Sequence, residues 1–76
     1  MRRRGRKGGR DVAQVNGRAR PEADGSTLAQ LLERDGFDAA RVACELTGAI
    51  VPRAAYAATV LRAGDVLEVV RFVGGG

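Results

Sequence analysis

The chain has 76 residues, 13 Lys and Arg against 9 Asp and Glu, no His and one Cys, and a formal net charge of +4. A chain of this length forms one small domain, which leaves no room for a large pocket between lobes. Without His and with a single Cys, the sequence excludes a disulfide framework, a zinc finger and a Cys/His catalytic pair. No apolar run approaches the roughly 18 residues of a membrane span. No apolar segment of signal-peptide type follows the basic start, so we expect a soluble cytoplasmic protein.

The positive charge is concentrated at the start of the sequence. Positions 1–10 hold six basic residues and no acidic one, whereas positions 11–76 hold 7 basic and 9 acidic residues, a net charge of −2. We expect a disordered basic leader over 1–10, a folded domain over 11–73 and a flexible glycine arm over 74–76. The leader either contacts a phosphate backbone or is a solvated extension. Because it has no aromatic residue for base stacking, the sequence favours a leader without a binding role and argues against nucleic acid as a partner.

The first structured segment is predicted to be a β-hairpin. Residues 12–15 favour a strand, and Asn16-Gly17 is a strong signal for a two-residue turn. The return strand is predicted over 18–23. Because Pro21 has no N–H for a ladder hydrogen bond, this strand should lie at an edge of the sheet.

A helix of about nine residues is predicted after the hairpin, from apolar residues that recur at helical spacing. Thr27 and Gln30 match a capping box at its start. Gly36 stands where a left-handed C-terminal cap is expected, and Phe37 just beyond it can pack back onto the last turn. The side chains predicted to face the core are Leu28, Leu31 and Leu32.

The second half of the chain predicts two more strands and a short helical turn. Apolar residues alternate over 42–46 and place Cys44 on the buried face of a strand, so we interpret it as a core residue rather than a reactive thiol. The alanine-rich stretch 53–58 predicts one helical turn with Tyr56 at the surface. The apolar segment 66–73 predicts a last strand in the middle of the sheet. This element order is typical of an α+β fold, with one main helix packed across a mixed sheet.

The sequence ends on Gly74, Gly75 and Gly76, which follow the last predicted strand directly. Such an end is either frayed chain or an arm without side chains that presents the α-carboxylate of Gly76 inside a partner's active site. Fraying is the better interpretation for a small domain in general, but here the glycines follow a predicted buried strand with no linker, and this position favours the arm.

Two long runs of the sequence carry a recognisable pattern. They are VACELTGAIVPRAAY over 42–56 and VLRAGDVLEVVRFVGGG over 60–76. Together with the hairpin at Asn16-Gly17 and the helix after Thr27, they resemble the ThiS family of sulfur carriers in thiamine biosynthesis, over about residues 12–76. The run that ends in Pro52-Arg53, the Gly64-Asp65 turn and the terminal glycines make the resemblance specific. The basic leader departs from the family, whose members commonly begin almost at the first strand.

The resemblance implies a ubiquitin-like β-grasp fold and a function that resides in the terminus. It implies that an E1-like adenylating enzyme of the ThiF type activates the carboxylate of Gly76, and that a persulfide enzyme supplies the sulfur that makes it a thiocarboxylate. Thiazole synthase, of the ThiG type, would then accept this sulfur. The chain would be a carrier rather than an enzyme. It would bind no cofactor itself, since ATP and Mg are used by the activating partner.

Partner recognition is expected beside the arm. If Leu67 and Val69 of the last strand enter the core, the residues that alternate with them point outward and form an apolar docking patch. The opposite register, or a covered sheet, would remove this patch. Arg53 matches the family motif, although a structural turn explains it about as well as contact does. The candidate partner-binding residues are Val70, Phe72, Arg53, Gly74 and Gly75.

Two other functions stay open at the level of sequence. The small subunit of molybdopterin synthase also ends in Gly-Gly on this fold, but it usually approaches the glycines through a Pro-rich segment, where this chain has Arg71-Phe72-Val73. A β-grasp RNA-binding module would use the basic leader as its anchor. RNA binding would survive loss of Gly76 and would weaken with added salt, in contrast to a carrier function.

Overall fold

The structure, a computed structural model, describes residues 12–72. The predicted leader over 1–10 and the predicted glycine arm over 74–76 lie outside the described residues. The strands are β1 (Gln14–Val15), β2 (Arg18–Ala19), β3 (Val42–Leu46), β4 (Ala49–Val51) and β5 (Val66–Arg71), and the α-helix is α1 (Leu28–Arg34). Short 3-10 helices occupy Pro21–Ala23, Ala39–Arg41 and Arg53–Ala55.

The five strands form one mixed sheet in the order β2-β1-β5-β3-β4. β5 lies in the middle, parallel to β1 and antiparallel to β3. The central position predicted for the last strand is therefore confirmed, as is the edge position of β2. Together with α1 on one face, this is the mixed sheet and single main helix that the element order predicts.

Both hairpins of the sheet turn through two residues with positive φ. The angles are 51° and 84° at Asn16 and Gly17, and 48° and 87° at Thr47 and Gly48. These values belong to a type I′ turn, whose twist matches that of the paired strands. The hairpin predicted at Asn16-Gly17 is confirmed.

The return strand of the first hairpin is shorter than predicted. β2 ends at Ala19, and Pro21 begins a 3-10 helix that ends at Ala23, so a strand over 18–23 was wrong. Proline suits the first position of a helix because its φ is fixed near helical values and because it has no N–H to leave unpaired.

Helix α1 has 7 residues, somewhat fewer than predicted, and both predicted caps are present. The Gln30 N–H donates to Thr27 Oγ1 at 3.1 Å, and the Thr27 N–H donates to Gln30 Oε1 at 2.9 Å. At the other end, Gly36 has a φ of 83° and the Phe37 N–H donates to the Leu32 carbonyl at 2.8 Å. The helix is thus held at both ends by its local sequence.

The core lies between α1 and the inner face of the sheet. Tyr56 belongs to this core, so its predicted surface position was wrong: it is only 4% exposed. Its hydroxyl donates to the Val42 carbonyl at 3.4 Å, and its own carbonyl accepts from the Ala29 N–H at 3.0 Å. A buried tyrosine needs such a partner for its hydroxyl, and the partner is a strand distant in sequence. The largest fully buried side chains of the core are Leu28, Leu31, Leu32, Val42, Cys44, Leu61 and Leu67.

Candidate docking site

The outward side of β5 carries exposed apolar side chains. Leu67 and Val69 are buried against α1, as predicted, whereas Val70 is 57% and Phe72 60% exposed. Because successive side chains of a strand point to opposite faces, burial of the first pair places the second on the solvent side. The register predicted for the last strand is confirmed, and Val70 and Phe72 lie where a partner can reach them.

The neighbouring strands extend this surface. Val70 lies opposite Ala43 of β3, and Ile50 of β4 lies opposite Glu45, which in turn faces Glu68 of β5. Ile50 is the most exposed large apolar residue among those described, at 79%. A shallow concavity of about 200 Å³ runs between the three strands. We call this side of the sheet the outer face; its residues are Ala43, Glu45, Ile50, Val66, Glu68 and Val70.

Sequence reasoning missed Ile50, Glu45 and Glu68 as members of the outer face. The available signal was the two-residue turn at Thr47-Gly48, because a turn of that length fixes the register of the strands it joins. That register sets Ile50 opposite Glu45, and alternation along β3 then places both on the side away from Cys44.

The end of β5 is anchored on both of its sides. The Phe72 N–H donates to the Arg41 carbonyl at 2.9 Å, and the Arg71 guanidinium stacks over the Phe37 ring at 5.1 Å from its centroid. The strand is therefore fixed in position as far as the last described residue. Gly74, Gly75 and Gly76, the predicted reactive arm, lie outside the described residues.

Arg53 lies close to this strand end. Its Nε donates to the Ala39 carbonyl at 3.3 Å and its Nη2 to the Ala40 carbonyl at 3.2 Å. Both acceptors belong to the 3-10 helix that also receives the Phe72 N–H. The structure therefore gives Arg53 a bracing role beside Phe72 and places the two predicted contact residues at the same end of the sheet.

Cys44 is a core residue, as predicted. It is 1% exposed, and burial raises the pKa of its thiol, an effect that the nearby Tyr56 side chain partly offsets. A thiol of this kind stays protonated at neutral pH and is a poor nucleophile. Within residues 12–72 no cluster of three or more His, Cys, Asp and Glu is arranged to hold a metal ion. The same residues contain no helix with the length and apolarity needed to cross a membrane.

A mixed sheet in the order β2-β1-β5-β3-β4 with one helix across it defines a β-grasp protein of the ubiquitin-like kind. The crystal structure of a thiamine biosynthesis protein (ThiS) from Geobacter metallireducens is similar, with a TM-score of 0.68 and 33% sequence identity. The match covers 84% of this chain and 97% of that one. Residues 12–76 also match the sequence profile of the ThiS family. The chain belongs to the ThiS family, the sulfur carriers of thiamine biosynthesis.

Two thiazole synthases are also similar to this chain. The protein from Paramagnetospirillum magneticum is 40% identical and that from Magnetococcus marinus 44% identical, each over 62 residues. The matched segment is 82% of this chain but 19% of either relative. The chain thus spans about a fifth of the length of these curated relatives.

Proposed function

We propose that the α-carboxylate of Gly76 carries the sulfur that this family delivers for thiazole formation. The observation that supports this most directly is the match to the ThiS family across residues 12–76, which includes the terminal glycines. The anchored end of β5 adds to it, because the strand is held in place as far as Phe72, four positions before Gly76 in the sequence.

The proposed chemistry begins with activation, because a carboxylate is a poor acyl electrophile. The Gly76 carboxylate attacks the α-phosphorus of ATP, and pyrophosphate leaves. A persulfide sulfur of the donor enzyme then attacks the resulting acyl adenylate, and AMP leaves. The new bond joins the outer persulfide sulfur to the acyl carbon of Gly76. A second thiol then attacks the donor's cysteine sulfur and cleaves the original persulfide bond, which leaves a thiocarboxylate on Gly76 and a disulfide between that thiol and the donor cysteine. Glycine suits this role, since no Cβ blocks the approach of the acyl carbon to another protein's active site.

Three partners follow from this scheme. A ThiF-type enzyme binds ATP and Mg and performs the adenylation, a persulfide enzyme supplies sulfur, and thiazole synthase accepts it. The two thiazole synthases that contain a segment similar to this chain support the third partner. We propose that the carrier performs no catalysis, works in the cytoplasm and is recognised through Val70, Phe72 and Arg53, with Gly74 and Gly75 entering the partner's channel.

The test is intact mass spectrometry of the full chain after incubation with ATP, Mg, a ThiF-type enzyme and a persulfide donor. We expect a species in which one oxygen is replaced by sulfur, and an acyl adenylate that hydroxylamine traps when the sulfur donor is omitted. A chain without Gly76 is the control, because it keeps residues 12–72 intact and should give neither product. An unchanged mass with an activating enzyme that modifies another ThiS carrier would refute the proposal.

A further inference from the structure

The outer face contains two like charges directly opposite one another. Glu45 of β3 and Glu68 of β5 are cross-strand partners in the antiparallel register. Directly opposed residues have Cβ atoms about 4.5–5.5 Å apart, and like charges in such a pair destabilise the sheet. An arrangement that lowers the stability of the fold, with no contact to compensate, is expected at functional sites.

No ion pair within residues 12–72 neutralises these two carboxylates. Three arginines of the described residues are engaged in other contacts. Arg41 pairs with Asp38 at 3.4 Å, Arg53 donates to backbone carbonyls, and Arg71 stacks on Phe37. The outer face therefore combines a negative centre with apolar surface on each side.

The apolar surface frames the two carboxylates. Ile50 follows Glu45 across the sheet, and Val66 and Val70 lie one alternation step to either side of Glu68 along β5. A side chain that fits this pattern has an apolar stem and a cationic head able to bridge two carboxylates. Arginine meets both requirements, since its planar guanidinium presents donors in a fork and is weakly hydrated.

We propose that the outer face binds an arginine of thiazole synthase, with its guanidinium between Glu45 and Glu68 and neighbouring apolar side chains against Ile50 and Val70. This inference rests on the proposed function, because the outer face would keep the carrier bound to thiazole synthase while Gly76 delivers the sulfur. Thiazole synthase is chosen because two of them contain a segment similar to this chain, so that one polypeptide holds both parts in those proteins.

The first variant is Glu68→Gln, which removes one charge and keeps the shape of the side chain. In the absence of a partner, the melting temperature of this variant should be a few degrees higher than that of the parent, because the repulsion between the two carboxylates is removed. Its affinity for thiazole synthase, measured by calorimetry, should fall about 10-fold. If Glu68 instead stabilised the carrier itself, Glu68→Gln would melt at a lower temperature than the parent. The melting temperature and the affinity together therefore separate the two explanations.

Glu33→Gln is the matched control, since it makes the same charge change on the solvent side of α1. We expect it to leave binding within about 2-fold of the parent. Raising the salt concentration should weaken the parent more than Glu68→Gln, because a screened charge contributes less to binding. An equal loss of affinity in Glu68→Gln and Glu33→Gln would indicate an effect of net charge and would overturn the proposal.

Thiocarboxylate formation with the ThiF-type enzyme is measured in parallel and distinguishes this inference from the proposed function. Glu68→Gln should form thiocarboxylate as the parent does. Loss of that product with unchanged thiazole synthase binding would assign the face to the adenylating partner and overturn the proposal. The proposal would also be overturned if the loss of affinity in Glu68→Gln disappeared when residues 1–10 are removed. It would be overturned as well if Glu68→Gln changed the self-association of the carrier.

Discussion

At the scale of single residues, Cys44 and Tyr56 show what the core demands of its polar atoms. The Tyr56 hydroxyl lies between the Cys44 thiol and the Val42 carbonyl, and both side chains are almost fully buried. Burial raises the pKa of the Cys44 thiol and, together with the neighbouring Cys44 side chain, that of the Tyr56 phenol. Both groups are thus held neutral in the folded protein at pH values where they ionise in the unfolded chain.

The raised pKa values predict an alkaline loss of stability. Above about pH 8.5 the unfolded chain releases the thiol proton before the folded protein does, so the free energy of unfolding falls as pH rises. One such group contributes a slope of at most about 1.4 kcal/mol per pH unit. Urea unfolding of the parent at pH 7.5 and pH 9.5 measures the fall. In Cys44→Ala it should be shallower but not absent, because Tyr56 acts in the same direction. A fall as steep as that of the parent would contradict this account.

At the scale of elements, an ion pair links the first hairpin to the end of α1. The Arg20 guanidinium donates to both carboxylate oxygens of Asp35, at 2.8 and 2.9 Å, and also contacts Glu22. Asp35 is the C-terminal cap residue of the helix, and Arg20 directly follows β2. The pair therefore holds an edge strand, which few other contacts fix, against the helix that covers the sheet.

This pair predicts an acid-sensitive contribution to stability. The hydrogen bond from Arg20 lowers the pKa of Asp35, so the stabilisation is complete above about pH 4 and is lost as pH falls through the lowered value. Asp35→Asn should lower the free energy of unfolding by about 1 kcal/mol at pH 7 and by much less at pH 2.5. Glu33→Gln, near the same helix end, should change it little at either pH. A pH-independent loss in Asp35→Asn would point to a packing defect in place of the ion pair.

The elements also show which parts of the fold a sequence can reveal. The turn at Asn16-Gly17, the capping box at Thr27 and the cap at Gly36 depend on residues within a few positions, and all three are confirmed. Tyr56 was misplaced because the carbonyl that satisfies its hydroxyl belongs to β3, and no local pattern reveals that contact. The outward position of Val70 followed from alternation, but the Glu45–Glu68 pair required the register between strands that are far apart in sequence. The glycine arm stays a prediction.

At the scale of the whole molecule, the net charge divides between a basic start and an acidic remainder. Positions 1–10 hold six positive charges, and the rest of the chain has a net charge of −2. The match to the ThiS family begins at residue 12, after the basic segment. The family assignment also favours the thiamine branch over the molybdopterin alternative.

Removing residues 1–10 is therefore predicted to spare carrier function. The shortened chain should form thiocarboxylate at the rate of the full chain, measured by intact mass over time, because the terminus and the outer face are unchanged. Retention of the full chain on immobilised RNA should fall steeply with salt and should be lost in the shortened chain, as expected for contacts made by charge alone. A strong drop in the rate of thiocarboxylate formation would show that the basic segment takes part in partner recognition.

The central position of β5 affects how the protein is made. Synthesis delivers β1 to β4 first, but the β1-β2 hairpin and the β3-β4 hairpin share no neighbour until the last strand inserts between them. Such distant pairings are slow to form, so we expect a nascent chain to complete its fold only after β5 has left the ribosomal exit tunnel. The outer face spans β3, β4 and β5 and is assembled in the same event. A polypeptide released before Val66 therefore has no complete outer face. Such a fragment, which also lacks Gly76, would not compete with the full chain for a partner.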